Sequence, residues 1–208
     1  MLKLIRDEMR NHAPFTVAGA LTGIALMLVV VLGRIRHEAL EPLFEGCHAV
    51  HVLLSAVVTA AMFRRYRRAP LRGFLIAYAG SIGIGTLSDI VFPYFGGLLL
   101  GAHMHFHLPF IEEWWLINPA AFLGIAIGTA WPRTRIPHSG HVLVSTWASL
   151  FYLVVYANVA WSMWQLPMVF LVLFVAVWLP CCVSDIAWPL LFIGKDAYPQ
   201  AQERAADR

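Results

Sequence analysis

Two octapeptides carry the residue types best suited to chemistry. "HAVHVLLS" spans 48–55 and "HSGHVLVS" spans 138–145, and both read His-x-x-His-Val-Leu-x-Ser. At i, i+3 on a helix the two rings of each motif share one face. Neutral imidazole is the commonest transition-metal ligand, and a carboxylate beside two imidazoles suits Zn, Mn, Fe, Co or Ni. The predicted ligands are therefore His48 and His51 in one copy and His138 and His141 in the other. Ser55 and Ser145 follow as polar neighbours one turn on. A single such pair would read equally well as interfacial histidines at a helix end; the recurrence weights it toward function.

The carboxylates recur as well. "LSDIVFP" (87–93) returns as "VSDIAWP" (183–189), which puts Asp89 and Asp185, each after a serine (Ser88, Ser184), inside apolar runs. An unpaired charge at the bilayer centre costs about 2.5–3.5 kcal/mol even on the lenient insertion scale, so such an acid faces a partner, an ion or water. The plainer reading is a hydrogen-bonded structural aspartate near a helix end, which the repetition disfavours. Pro93 and Pro189 follow the aspartates by four residues. Each removes a helical donor and predicts a weakened turn at the acid.

The elements that must position these groups are apolar. The chain of 208 residues is 60% hydrophobic and 13% charged, with a mean hydropathy of +0.69; a soluble domain keeps more charge. A spanning helix needs about 20 apolar residues. Six runs qualify, at 14–33, 44–63, 73–98, 114–131, 141–163 and 167–193. The first is preceded by Asp7 and Glu8 and lacks a small-x-small cleavage site, so it reads as a retained helix. With a cytoplasmic N-terminus, 13 of the 15 Lys and Arg residues fall on the cytoplasmic side, including the "RRYRR" cluster at 64–68. The positive-inside rule then places both termini in the cytoplasm of an inner (plasma) membrane of bacterial type. The same cluster touches anionic headgroups on this reading, and its role in topology argues against a nucleic-acid partner.

A third pair of segments aligns, "DEMRNHAPFTVAGALTG" (7–23) with "EEWWLINPAAFLGIAIG" (112–128), matching Glu8 with Glu113 and Gly19 and Gly23 with Gly124 and Gly128. Three matches in one order, on scarce residues, indicate two copies of a three-helix unit, 7–100 and 112–194, with a cytoplasmic tail at 195–208. The fold class expected is an all-α integral membrane protein of six transmembrane helices in one domain. An odd number of helices per unit inverts the second copy. The Gly-x-x-x-Gly pairs predict close helix contacts in lipid, and "GSIGIG" (80–85) predicts a slim, locally bent third helix.

Inversion predicts two related sites toward opposite faces, which serve as outward and inward stations or as halves of a central one. The outer one combines His48, His51, Asp89 and Glu113; the inner one combines His138, His141, Asp185 and Glu8. On the outer side, Glu41, Glu45, His103, His105 and His107 add a cation-gathering vestibule, with His37 and Glu38 in the same insertion. Glu45-x-x-His48 resembles a metal-binding helical pair if the second helix starts early, and His-rich tracts collect metal; a solvated loop is the competing reading. Cys47, Cys181 and Cys182 form no disulfide framework or zinc-finger spacing. Cys181 and Cys182, one turn before Asp185, would favour soft ions, although packing is the commoner use of cysteine in a membrane helix. Trp114, Trp115, Trp161, Trp164 and Trp188 are expected as interfacial belts.

The function expected is secondary transport of a divalent transition-metal cation, with protons competing for the same ligands. The alternative is an intramembrane metal-dependent hydrolase acting on a lipid or other membrane substrate, and a third reading is a non-catalytic membrane module, a metal sensor or an assembly factor. Membrane lipid is the expected surrounding partner, and a homodimer is compatible with a wall only six helices thick.

Overall fold

The computed structural model describes residues 2–33, 35, 39–67, 69–131, 135–157, 161–182 and 188–192. Helices dominate, and among the described residues there is no strand, only an isolated antiparallel bridge between Met104 and Ala157. In chain order the helices are α1 Leu2–Leu32, α2 Glu41–Tyr66, α3 Pro70–Thr86, α4 Phe92–Leu99, α5 Pro109–Glu112, α6 Trp114–Ala130, α7 Arg135–Tyr156, α8 Leu166–Cys182 and α9 Trp188–Leu191. Ala13–Leu32, Glu41–Arg64 and Pro70–Leu99 are long and apolar enough to cross a membrane by length and composition; Trp114–Ala130, Gly140–Tyr156 and Leu166–Cys181 are shorter apolar helices.

Several boundaries differ from those read in the sequence. α1 starts at residue 2 and runs through Pro14, and α7 ends at Tyr156 rather than 163. α2 does start early, at Glu41, with Pro42 in its first turn, where a missing N–H has no cost. The glycine-rich stretch 80–85 does not unwind but stays α-helical. The distortion comes one turn later, as a π-helical turn at Leu87–Val91 that carries Asp89 and joins α3 to α4. Such turns accommodate an extra residue and concentrate at functional sites.

α2 lies at the centre, packed against α3, α6 and α7, and α1 lies against α7 and α8. Glycines set the closest approaches. A Cβ on Gly128 would come within 2.9 Å of Val57 Cα, so α6 rests on the backbone of α2. Gly19 of α1 is crowded instead by the side chain of Thr146 of α7, whose Oγ1 would stand 2.7 Å from a Cβ. Gly128→Ala should therefore push α6 away from α2 and cost about 1–3 kcal/mol, read as a lower unfolding temperature of the purified protein.

The tryptophans divide. Trp114, Trp115 and Trp164 are exposed, as a belt requires, but Trp161 is buried. Trp188 is half-buried and donates its indole N–H to Ile76 O at 2.9 Å. Both serve packing: Trp161 belongs to the main apolar core, and Trp188 lies against α3 at Gly80.

Candidate metal centre

The π-turn aims Asp89 into the interior, where its side chain is fully buried. Four donors surround it. His48 Nδ1 and His51 Nδ1 lie 2.9 and 2.7 Å from Oδ2; Ser88 Oγ and Ser145 Oγ lie 2.8 and 2.7 Å from Oδ1. α2 presents both imidazoles on one face, as the i, i+3 spacing requires. Gly85 of α3 packs against that face: a Cβ there would press on Val52 Cγ2 at 3.3 Å and reach van der Waals contact with both imidazoles at 3.9 Å. Ser145 comes from α7, in the other half of the chain.

The π-turn needs outside help. Its register joins Phe92 N–H to Leu87 O, so the next donor in line for Ser88 O is Pro93, which has no N–H. Ser149 Oγ of α7 stands 3.0 Å from Ser88 O and 2.9 Å from Ser145 O. Ser145 O already has a helical donor four residues on, so the Ser88 carbonyl gains most from this hydroxyl. Ser149→Ala should cost about 1–3 kcal/mol, the usual penalty for an unpaired buried polar group, and thermal unfolding measures it.

The distances distinguish hydrogen bonds from a metal cage. Ligand atoms around a tetrahedral ion with bonds of about 2.0–2.1 Å stand roughly 3.3 Å apart. At 2.7–2.9 Å, the contacts to Asp89 have hydrogen-bond lengths. An ionised carboxylate only accepts, so both rings donate through Nδ1 and present Nε2 as the lone pair. This is the carboxylate–imidazole arrangement that orients metal-binding histidines. His51 Nε2 lies 4.0 Å from Cys181 Sγ of α8, and the His51 ring stacks on that of His141 at 5.7 Å and 12°. His51, His141 and Cys181, and also His48, His51 and Asp89, form buried groups able to hold a metal ion. His48 Nε2 is buried without a hydrogen-bond partner, and its ring stacks on Phe44 at 5.8 Å.

His48, His51 and Asp89 from the first half of the chain thus meet His141 and Ser145 from the second in one buried place. Ser55, one turn beyond His51, is buried. Glu113 does not join this centre; it precedes the first residue of α6, and its Oε2 lies 3.1 Å from His107 Nε2. Glu41 and Glu45 are half-buried at the start of α2, with Tyr156 OH 3.4 Å from Glu41 Oε1, and His103 and His105 are exposed. Glu8 and His138 lie on described helices, but their side chains are outside what is described. Asp185, Ser184, His37, Glu38 and the tail at 195–208 lie outside the described residues.

Sequence reasoning undervalued Cys181. Its signal was position, four residues before Asp185 on an apolar helix, but no repeat partner supported it. Ser149 was missed altogether; its signal was a second serine one turn after Ser145.

At one end of the bundle the chain leaves α4 through a helix stop at Gly101, whose φ of 81° glycine adopts freely. Ala102 N–H bonds Gly97 O, and Gly101 N–H bonds Leu98 O. The segment then crosses the end of α7, where His105 N–H donates to Tyr156 O at 2.8 Å. That crossing delivers His107 to Glu112 and Glu113. A hydrogen bond from the Leu108 backbone holds the Glu112 carboxyl below the usual carboxylate range. Its anchoring of the segment is therefore present above the ordinary Glu value and is lost as pH falls through the lowered one. Compared with protein-family models, with curated proteins and with solved structures, the chain matches none.

Proposed function

We propose that the protein is a secondary transporter of a divalent transition-metal cation, and that the buried centre binds the ion midway across an inner (plasma) membrane. The observation that carries the proposal is the composition of the centre: His48, His51 and Asp89 come from one half of the chain, His141, Ser145 and Cys181 from the other. In an inverted-repeat transporter the substrate site lies at the interface of the repeats near the midplane.

Helix packing supports the duplication. α6 lies along α2 as α1 lies along α7. A Cβ on Gly124 would meet Ala56, and one on Gly19 would meet Thr146. Ala56 and Thr146 each stand five residues after the second histidine of their motif. The contacts are the ones two inverted copies of a three-helix unit would make. On this reading six helices span the membrane, both termini are cytoplasmic, and the two halves rock about the stacked pair His51–His141.

Charge supports a divalent cargo. Among the described residues Asp89 is the only buried acid, and no Lys or Arg is buried beside it. One carboxylate and one Cys181 thiolate neutralise a divalent ion in full, which removes most of the cost of holding it away from water. Binding releases the thiol proton, so protons compete with the metal and a proton gradient can drive its release.

The test is uptake of Zn²⁺ or Mn²⁺ by sealed proteoliposomes under a pH gradient; purified protein that moves neither ion overturns the proposal. A second reading has its own observation. His51, His141 and Cys181 are three ligands, which leaves a zinc ion one open position for water, as in hydrolytic sites. Zinc that stays bound and cleaves a lipid or amide without crossing the bilayer would select that intramembrane hydrolase.

A further inference from the structure

The geometry points to a second divalent-cation site in this chain, built on His107 and Glu113, and separated from the buried centre by Phe44. Two atoms carry it. His107 Nε2 and Glu113 Oε2 are 3.1 Å apart, yet both are sealed from solvent without a hydrogen-bond partner. The carboxylate oxygen therefore stands off the axis of the ring N–H, where a proton bridges poorly. Two ligands of one metal ion have this relation, since both point at a third position; at bonds of about 2.1 Å, adjacent ligand atoms fall roughly 3.0–3.4 Å apart.

The other side of the ring supports the assignment. His107 Nδ1 lies 3.1 Å from Glu112 Oε2, and Glu112 Oε1 is itself held by Leu108 N–H at 2.8 Å. A carboxylate on Nδ1 leaves Nε2 as the ligand nitrogen, the arrangement already met at Asp89 and His51. The His107 ring also stacks on Tyr156 at 4.7 Å, which fixes its plane. Glu41 and Glu45 lie within electrostatic reach, and Tyr156 OH is 3.4 Å from Glu41 Oε1. Two protein ligands with nitrogen and oxygen donors, completed by water, make a weaker and more exchangeable site than one with a thiolate.

Phe44 makes the sites distinct. Its ring lies 5.8 Å from His48 on one side and 6.2 Å from His107 on the other, wedged edge-on to Tyr152 and Tyr156. An ion held at His107 and Glu113 is one aromatic layer from the buried histidines.

Co²⁺ titration of the full-length protein in detergent tests this, because a thiolate–cobalt charge-transfer band reports the Cys181 centre and an N/O site gives none. The expectation is two equivalents of Co²⁺ per chain. Glu113→Gln and His107→Ala should each remove the weaker equivalent and leave the band intact, which also shows that the variant is folded. Cys181→Ala should remove the band and leave the weaker equivalent. Two equivalents retained in both Glu113→Gln and His107→Ala, or a single equivalent in the unmodified protein that neither variant affects, overturns the inference. If one equivalent vanishes with Glu113→Gln but no thiolate band ever forms, the central centre fails as a metal site and the His107–Glu113 site stands.

Discussion

Asp89→Asn should fold normally and bind divalent metal 10–100-fold more weakly. The range is the usual cost of altering a group that orients metal-ligating histidines without itself binding the ion. The reasoning follows the four contacts. An asparagine can turn its oxygen toward His48 Nδ1 and His51 Nδ1, which donate, and its NH2 toward Ser88 and Ser145, whose hydroxyls accept as readily as they donate. Hydrogen bonding survives, and so does the Nε2 lone pair on each ring. The negative charge does not. The imidazoles become poorer donors to the metal, and a bound divalent ion is left half-compensated. Calorimetry with Zn²⁺ measures the weakening, and thermal unfolding within a few degrees of the parent protein confirms the fold. Asp89→Ala is the contrasting variant: it strands several buried donors at once, each worth about 1–3 kcal/mol, and should unfold at much lower temperature. An Asn variant with unchanged zinc affinity would show that Asp89 is only a structural acid.

His51→Ala should have a larger effect on binding. This ring belongs to both buried groups able to hold a metal. It also stacks on His141 and lies beside Cys181, so its loss removes the ligand that the two halves share. Affinity at the centre should fall by more than about 100-fold, beyond the range expected for an orienting group, and the cobalt–thiolate band should disappear. Uptake into proteoliposomes should drop to that of empty vesicles and, unlike that of Asp89→Asn, should not recover when the metal concentration is raised 100-fold. The His107–Glu113 equivalent should remain, which separates loss of the centre from loss of the fold. Persistence of the band in His51→Ala would remove His51 from the ligand set.

Much of the local architecture was legible in the residues. Apolar runs announced helices because burial of nonpolar surface and internal pairing of the backbone are properties of a segment. The i, i+3 spacing put His48 and His51 on one face because 3.6 residues make a turn of any helix, whatever surrounds it. Pro93 foretold a weak turn because its missing N–H is a covalent fact, although the π-register and the role of Ser149 depended on what packs alongside. Glu113 was assigned to the wrong histidine. It belongs with His107 because the crossing segment after Gly101 brings that ring to the start of α6, and loop paths are set by long-range contacts.

The sequence alone determined that the chain is helical and apolar, that its scarce polar residues recur in order, and that each histidine pair points one way. Only the tertiary structure decided that His51 and His141 stack on each other and that Cys181 faces them. Helical periodicity specifies the angular position of a side chain about its own axis, but neither the depth of one helix beside another nor which helices are neighbours. Those were decided by shape: glycines let α6 settle onto α2 and α1 onto α7, and at that depth His141 and Cys181 come beside His51.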